Sequence, residues 1–265
     1  MERARKRFSV IIPAYNVQEY IKKAIESVLE QDFKNYELIV VNDASTDQTA
    51  DIVEEYAKKY DNVRLISHKE NKASGGARNT GLDHANSEYI IFLDADDYLY
   101  DSTVLGKVDK LLGDKTVDVV YMGFKIGGNR DEFVIPTEET CTKEYKAGED
   151  IYPNVWSKCW NLEFLNKNNI RFVEHRYYED VLFVYNGVMK SNSYLIADFP
   201  VHHYISGRKN SMTTTLNLKN IYDTVDNIRD MLELKKQSDT VEINTRIKRE
   251  IDMCKKRLED IYYSM

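Results

Sequence analysis

Three carboxylates stand within four positions at Asp94-Ala95-Asp96-Asp97. Charges so close repel one another unless a cation or solvent screens them. Mg²⁺ and Mn²⁺ take such hard oxygen ligands, commonly one or two carboxylates together with phosphate. The run directly follows the apolar stretch YIIFL, which reads as a buried strand, and that position favours a metal over a merely solvated loop. Asp43 follows a second apolar stretch, ELIVV. A carboxylate there suits a nucleobase N–H or a ribose hydroxyl, with an Asx-turn as the plainer use. Arg78 lies in ASGGARN, where glycines ahead of a helix let backbone N–H groups approach an anion and a guanidinium can fork onto phosphate. The GK[ST] ending of a P-loop is missing, and a surface arginine is the alternative. Glu179-Asp180 suits either a helix N-terminus or a general base.

Such groups need a scaffold, and the periodicity supplies one. Residues 8–14 form a short β-branched run, strand one. Val17, Tyr20, Ile21, Ala24, Ile25, Val28 and Leu29 recur at helical spacing. Strand two covers 36–41. Ser45 and Gln48 have capping-box spacing ahead of a second helix. Strand three covers 63–67, a helix 77–85, strand four 89–93. A helix over 104–112 is capped by Asp101 or Ser102, and strand five covers 117–122. This alternation predicts an α/β fold, a mostly parallel sheet with helices on both faces. Ligands in such sheets sit beyond the carboxyl ends of the strands. Pro13-Ala14-Tyr15-Asn16, Asn42-Asp43-Ala44-Ser45-Thr46-Asp47 and the Asp94 cluster all fall on that edge.

Beyond residue 123 the pattern loosens. Gly127-Gly128-Asn129 reads as a turn between short strands. Helices over 162–168 and 180–189 and strands over 193–197 and 201–205 follow. The polar stretch 206–217 reads as a loop. Leu218, Ile221, Tyr222, Val225 and Leu232 mark one further helix, and Ile243, Ile247, Ile251, Cys254, Leu258 and Ile261 another. A break at Ser238-Asp239 makes them a helical hairpin, a packing appendage or a dimer contact.

The 265-residue chain has 37 Lys and Arg against 44 Asp and Glu, a net charge of −7. That balance argues against nucleic acid as the main partner. Cys141, Cys159 and Cys254 match neither a disulfide framework nor a zinc spacing, which points to a reducing cytoplasm. No apolar run approaches the ~18 residues of a membrane span. The basic start MERARKR reads as a tail leading into strand one, not as a signal peptide.

FSVIIPAYN, VVNDASTDQT, ASGGARNTGLDHA and YIIFLDADD, in this order, resemble the family-2 glycosyltransferases, which adopt the GT-A nucleotide-sugar-binding fold. Trp156-Ser157-Lys158, Tyr178-Glu179-Asp180 and Tyr204 through Ser211-Met212-Thr213 extend the likeness over about four-fifths of the chain; the hairpin lies outside it. The resemblance implies a nucleotide-sugar-binding half over 1–122, an acceptor-binding half over 123–216 and the hairpin over 217–265. Asp43 matches the acid that reads uracil, and Pro13, Ala14 and Tyr15 match the edge of the nucleoside pocket. Asn16 and Ala95 belong with these binding positions. Arg78 matches a basic residue near the nucleotide, Asp94 the acid near the ribose and Asp96 the metal-binding acid. Asp180 matches the catalytic base. His202 or His203 falls near a further metal ligand of some GT-A enzymes. Asn42 and Ala44 depart from the Asp and Gly common in the family.

The resemblance further implies Mn²⁺ or Mg²⁺, a UDP-linked donor and a glycan or lipid-linked acceptor in bacterial surface-polysaccharide assembly. Peripheral association with the inner face of the membrane would follow from such an acceptor. One base opposite the leaving group implies inversion. Lys158 and Arg208 are lower-ranked partners for the diphosphate, and 206–217 is a candidate lid. Trp156, Trp160, Tyr177 and Tyr178 are candidates for stacking on sugar faces. No Q-x-x-R-W motif of processive synthases is found. A nicotinamide dehydrogenase is excluded by the missing G-x-G-x-x-G. A sugar nucleotidyltransferase would need a Gly-rich, Arg-containing loop after strand one. A non-catalytic sugar-nucleotide-binding or assembly protein on the same fold is the alternative from outside the enzymes.

Overall fold

The computed structural model describes residues 4–128, 131–136, 153–206, 218–237 and 241–264. In chain order the elements are β1 (Lys6–Ala14), α1 (Ile21–Leu29), β2 (Tyr36–Asn42), α2 (Thr49–Lys59), β3 (Val63–Ser67), α3 (Ala73–His84), β4 (Ser87–Phe92), β5 (Tyr98–Leu99) and α4 (Val104–Leu112). There follow β6 (Val119–Gly127), β7 (Glu132–Val134), β8 (Lys158–Asn161), α5 (Leu162–Lys167), α6 (Glu179–Lys190), β9 (Tyr194–Ile205), α7 (Leu218–Lys236) and α8 (Val241–Ser264).

The strands share one sheet in the order β3-β2-β1-β4-β8-β6-β9-β5, with β7 on β6. β3, β2, β1 and β4 are mutually parallel, and β6 pairs parallel with β9. From β1 the chain winds outward through β2 and β3, then returns to place β4 on the other side of β1. That reversal opens a crevice at the carboxyl ends of β1 and β4.

Alternation along β1 builds two cores. Phe8, Val10 and Ile12 pack with Ile21, Ala24, Ile25 and Val28 of α1 and with Val104, Leu105 and Val108 of α4. Ile11 faces the other way, among Ala77 and Leu82 of α3 and Phe183, Val184 and Val188 of α6. Burying a strand on both faces is why the β1, β2 and β4 sequences read as nearly unbroken apolar runs.

The structure differs from the sequence reading in several places, each for a physical reason. Residues 17–20 form a turn, with Tyr20 and Ile21 N–H both donating to Val17 O, so α1 begins at Ile21. The capping box does not form. Ser45 Oγ accepts from Asn16 N–H, Gln48 N–H donates to Gln18 Oε1, and Asp47 Oδ1 accepts from Thr49 N–H. Those groups tie the end of β1 to the end of β2 instead. Helix α3 begins at Ala73, because its first turn is made of small residues that carry no hydropathy signal. The helix over 104–112 has Thr103 as its N-cap, and Asp101 Oδ1 accepts from Thr103 N–H at 2.8 Å. Strand five runs on through Gly127 as β6.

The short segment KCWN escaped the reading because it carries no alternation; as β8 it inserts antiparallel between β4 and β6. Residues 193–197 and 201–205 belong to one strand, β9, which absorbs Pro200 through register shifts opposite Met122–Phe124. Gly128 turns with φ 84°, whereas Asn129 lies outside the described residues, as do 207–217 of the candidate lid, Arg208 and Ser238-Asp239.

The largest correction concerns α7. Of the apolar positions that marked this helix, Tyr222, Val225 and Leu232 are 68%, 48% and 45% exposed. Its buried positions are Asn220, Asp223, Thr224, Asn227 and Met231. The first half of α7 therefore packs by polar side chains, while Met231, with Ile228 and Leu234 beside it, joins Ile247, Ile251 and Cys254 of α8 in a small core with Tyr185 of α6.

Candidate active site

The ends of β1, β2 and β3 form one wall. Asp43 N–H donates to Ala14 O at 2.8 Å, and Asn16 Oδ1 accepts from Thr46 N–H at 2.8 Å. Asn16 (φ 50°) and Ala44 (φ 59°) both take left-handed backbone. Asparagine tolerates that region; alanine does so at a cost of about 1–2 kcal/mol. The tight turn is thus kept at Ala44 without a glycine. Asp43 is buried. Its Oδ1 lies 2.7 Å from His68 Nδ1 and accepts from Lys72 N–H at 2.8 Å, while Oδ2 is buried and meets no partner. His68 Nε2 lies 2.8 Å from Thr80 Oγ1, so the imidazole is held at both ends. Pro13 pairs with Val41 inside the sheet, and Tyr15 stands half-exposed beside this wall. The sequence reading missed His68. Its signal was its place: the first residue after strand three, on the edge that carries Asp43.

A second wall follows β4. Carboxylate oxygens of Asp94, Asp96 and Asp97 lie within 4.8 Å of one another. Three hard oxygen donors so close suit a divalent cation of the Mg²⁺ or Mn²⁺ type. Ala95, between the first two, is buried. Burial pushes the Asp97 carboxyl above its ordinary range, and His202 opposes that push. His202 Nε2 lies 3.2 Å from Asp97 Oδ2, and Ile205 N–H donates to Oδ1 at 2.9 Å. The His202 ring stacks on Trp156 at 4.5 Å. His203, next along β9, faces the other side of the sheet against Tyr98, and burial holds its proton affinity below the usual imidazole value. Of the two histidines, His202 touches the acids and His203 does not.

Arg78 connects this wall to the acids of α6. Its Nη2 donates to Asp94 Oδ1 at 2.7 Å, and its Nη1 donates to Glu179 Oε1, which also accepts from Ser74 Oγ. The guanidinium is buried, and these acids hold its pKa above the ordinary value. Its terminal nitrogens are thereby engaged by carboxylates of the protein. Local sequence explains the approach. Gly75, Arg78 and Asn79 share one face of α3 by i, i+3, i+4 spacing. A Cβ on Gly75 would lie 2.4 Å from Val173 O, so only glycine lets α3 come this near. Asn79 then clasps Phe172, donating to its C=O and accepting from its N–H, each at 2.9 Å.

Asp180 follows Glu179 at the start of α6. Its carboxyl is pushed up to about 7, first by burial and then by the charge of Glu179, with Arg78 pulling the other way. A carboxylate so placed is half-ionised near neutrality, as a general base requires. The preceding Tyr178 has φ 59°, a left-handed step that launches the helix. Strained backbone at Ala44, Ala73 and Tyr178 thus flanks the polar cluster from separate elements.

Other candidates fall elsewhere. Lys158 is buried, its Nζ donating to Asn154 O at 2.9 Å and Ser157 Oγ at 3.1 Å. Trp160 lies in the core, edge-on to Phe183. Trp156 is buried between His202 and Tyr204. Tyr177 lies under Lys219 Nζ at 4.9 Å. Among the described residues no helix is long and apolar enough to cross a membrane.

A family model described as "Glycosyl transferase family 2" matches residues 9–172. The uncharacterized glycosyltransferase EpsJ of Bacillus subtilis is 33% identical over 184 residues, which cover 65% of this chain and 53% of EpsJ. The chain thus spans about half the length of that curated relative. Among solved structures, TarS 1-349 of S. aureus in complex with UDP-GlcNAc superposes with a TM-score of 0.74 at 24% identity, covering 98% of this chain and 73% of that one. The mannosyltransferase PcManGT of Pyrobaculum calidifontis, in complex with GDP-Man and Mn2+, superposes with a TM-score of 0.64 at 19% identity, covering 93% and 69%. These two likenesses establish a shared fold.

Proposed function

The chain belongs to glycosyl transferase family 2, and on that premise we propose that it transfers a sugar from a UDP-linked donor to a hydroxyl of a glycan or lipid-linked acceptor, with inversion. The observation that carries this reading is the Arg78 bridge. It joins Asp94 of the acidic cluster to Glu179, the neighbour of Asp180, so donor-side acids and a base of suitable proton affinity share one site.

Asp43 supports the choice of base. With Oδ1 taken by His68 and Lys72, one buried acceptor oxygen is left. Uracil and thymine offer one imide N–H to such an acceptor, whereas guanine offers adjacent N–H donors. That TarS was solved with UDP-GlcNAc agrees with a uridine nucleotide.

The leaving group is a diphosphate whose negative charge grows as the anomeric bond breaks. Asp94 and Asp96, with Asp97 steadied by His202, would hold a divalent cation; when bound, it supplies charge neutralisation to the departing diphosphate. Arg78 holds Asp94 by one carboxylate oxygen beside that cluster. On the other side, Asp180 takes the proton of the acceptor hydroxyl as its oxygen attacks, because that hydroxyl's pKa lies far above 7. Attack opposite the diphosphate inverts the anomeric carbon. Peripheral association with the inner face of the membrane belongs to this proposal as a consequence of a lipid-linked surface-polysaccharide acceptor.

The test is release of UDP from UDP-N-acetylglucosamine in the presence of Mn²⁺. Asp180→Asn is expected to bind UDP as the wild type does while release falls by at least about 100-fold. Release by Asp180→Asn at the wild-type rate would remove Asp180 from the chemistry. A wild type that binds UDP and releases none would favour the non-catalytic binding protein.

A further inference from the structure

The first half of helix α7 turns polar side chains inward, where a packing appendage would present apolar ones. Asp223 and Asn227 are 8% and 2% exposed, whereas Tyr222 and Val225 beside them are 68% and 48% exposed. Burying a carboxylate and an amide costs free energy unless each is hydrogen-bonded. Here both meet the backbone of one short segment. Tyr177 N–H donates to Asp223 Oδ2 at 2.9 Å, and Asn227 Nδ2 donates to Tyr177 O at 2.9 Å. Arg176 Nη1 donates to Asn227 Oδ1 at 3.2 Å and to Asp230 Oδ2 at 2.5 Å. Lys219 Nζ donates to His175 O at 2.5 Å and pairs with Asp223.

The gripped segment immediately precedes Glu179-Asp180. His175 and Tyr178 both have left-handed backbone, φ 57° and 59°. Such steps are unfavourable for these residues and persist where their surroundings impose them. On its other side the segment is tied to the nucleotide wall: His175 N–H donates to Lys72 O at 3.0 Å, and Lys72 N–H donates to Asp43. The apolar contacts of the hairpin meet the same helix, with Val181, Leu182, Tyr185 and Met189 of α6 against Met231, Ile247 and Ile251. Hydrogen bonds are directional, so they fix the segment's height and rotation in a way that apolar contact alone would not.

We propose that the C-terminal hairpin is a positioning element of the active site, in which Asp223 and Asn227 hold the Tyr177 backbone and thereby set the Asp180 carboxylate against the donor. This rests on the reading of Asp180 as the base. Neither residue touches substrate; both act through residues 175–178.

The experiment compares Asp223→Ala, Asp223→Asn, Asn227→Ala and the outward-facing Val225→Ala with wild type and Asp180→Asn. It reads the kcat and KM of UDP release from UDP-N-acetylglucosamine with Mn²⁺, UDP affinity by calorimetry, and amide hydrogen exchange over 175–185. A misplaced base costs turnover, not donor binding, so Asp223→Ala and Asn227→Ala are expected to lose about 100-fold in kcat. Their KM and UDP affinity stay within about twofold of wild type, and amide exchange in the segment speeds up. Asp223→Asn is expected to recover most of the loss, because its amide oxygen still accepts from Tyr177 N–H although the pair with Lys219 is gone. Val225→Ala matches wild type.

The proposal is overturned if Asp223→Ala and Asn227→Ala keep wild-type kcat, if UDP affinity falls in step with kcat, or if Asp223→Asn is as impaired as Asp223→Ala. Should Asp223→Ala fail to fold, Asn227→Ala decides by the same readings. Wild type that releases no UDP, or Asp180→Asn that releases it at full rate, overturns the base itself. An inactive Asp180→Asn beside unimpaired Asp223→Ala and Asn227→Ala overturns the hairpin's part alone.

Discussion

A carboxylate takes a proton only when ionised, and Asp180 is poised where that change falls near neutral pH. The expected kcat/KM for the donor therefore rises with pH through about 7 and levels above it. Glu179 raises the Asp180 pKa by its charge. Glu179→Gln can still accept from Arg78 and Ser74, so its rising limb should move to lower pH. A limb that stays in place would remove Glu179 from the tuning. The same shift has a stability consequence. A folded pKa above the unfolded one binds the proton more tightly in the folded state, so the contribution is complete below pH about 4 and is lost as pH rises through about 7. Asp180→Asn escapes that loss. Its thermal midpoint should gain on wild type as pH is raised from 4 to 8, as melting curves at several pH values would reveal. From sequence, Asp43, Asp94 and Asp96 were candidates because each follows a strand, whereas Asp180 suited a helix N-terminus equally and became the candidate base only through the family resemblance. His68, Ser74 and Asn79 were not legible, because their partners are far away along the chain: Asn79 bonds Phe172 and Ser74 bonds Glu179.

At the scale of elements, the sequence spelled out β1, β2, β4 and α1 in their apolar residues, and the segments after β1, β2 and β4 carry the candidate site. Elements made of small or polar residues were harder to see. The first turn of α3 has glycines and serine, chosen by the close approach to Val173 O rather than by hydropathy. The inward face of α7 is chosen by backbone hydrogen bonds to 175–177. Turns have their own signature, and Ala44 tests it. In the left-handed region glycine avoids a steric cost of about 1–2 kcal/mol but loses about 0.5–1 kcal/mol in unfolded-state entropy. Ala44→Gly should therefore stabilise the fold by up to about 1 kcal/mol and leave UDP affinity unchanged. Urea denaturation measures the first and calorimetry the second; destabilisation would mean that the Cβ of Ala44 makes a contact that outweighs its backbone strain. His68→Ala removes a partner of Asp43 Oδ1 and frees that carboxylate to turn. UDP affinity is expected to fall by about tenfold, on the order of one charge-assisted hydrogen bond. Unchanged affinity would show that Lys72 N–H alone suffices.

For the whole molecule, the sheet sets the ends of β1, β2 and β3 beside the Asp94 cluster, and Arg78 joins that cluster to Glu179 at the start of α6. The class of fold was legible because alternating strands and helices admit few arrangements. The insertion of β8 between β4 and β6 was not, since antiparallel pairing of four residues leaves no periodic trace. The proposed site would bind nucleotide and cation together. UDP with Mn²⁺ should raise the melting temperature well above the rise given by either alone, because ligand bound only to the folded state adds its binding energy to stability. Asp96→Ala should abolish that cooperation. The most direct measurement is anomalous scattering at the manganese edge from crystals grown with UDP and Mn²⁺. The account predicts a single strong peak at coordinating distance from Asp96, with uracil N–H on Asp43 Oδ2. A manganese peak remote from the Asp94–Asp97 edge, or a uracil ring away from Asp43, would contradict it.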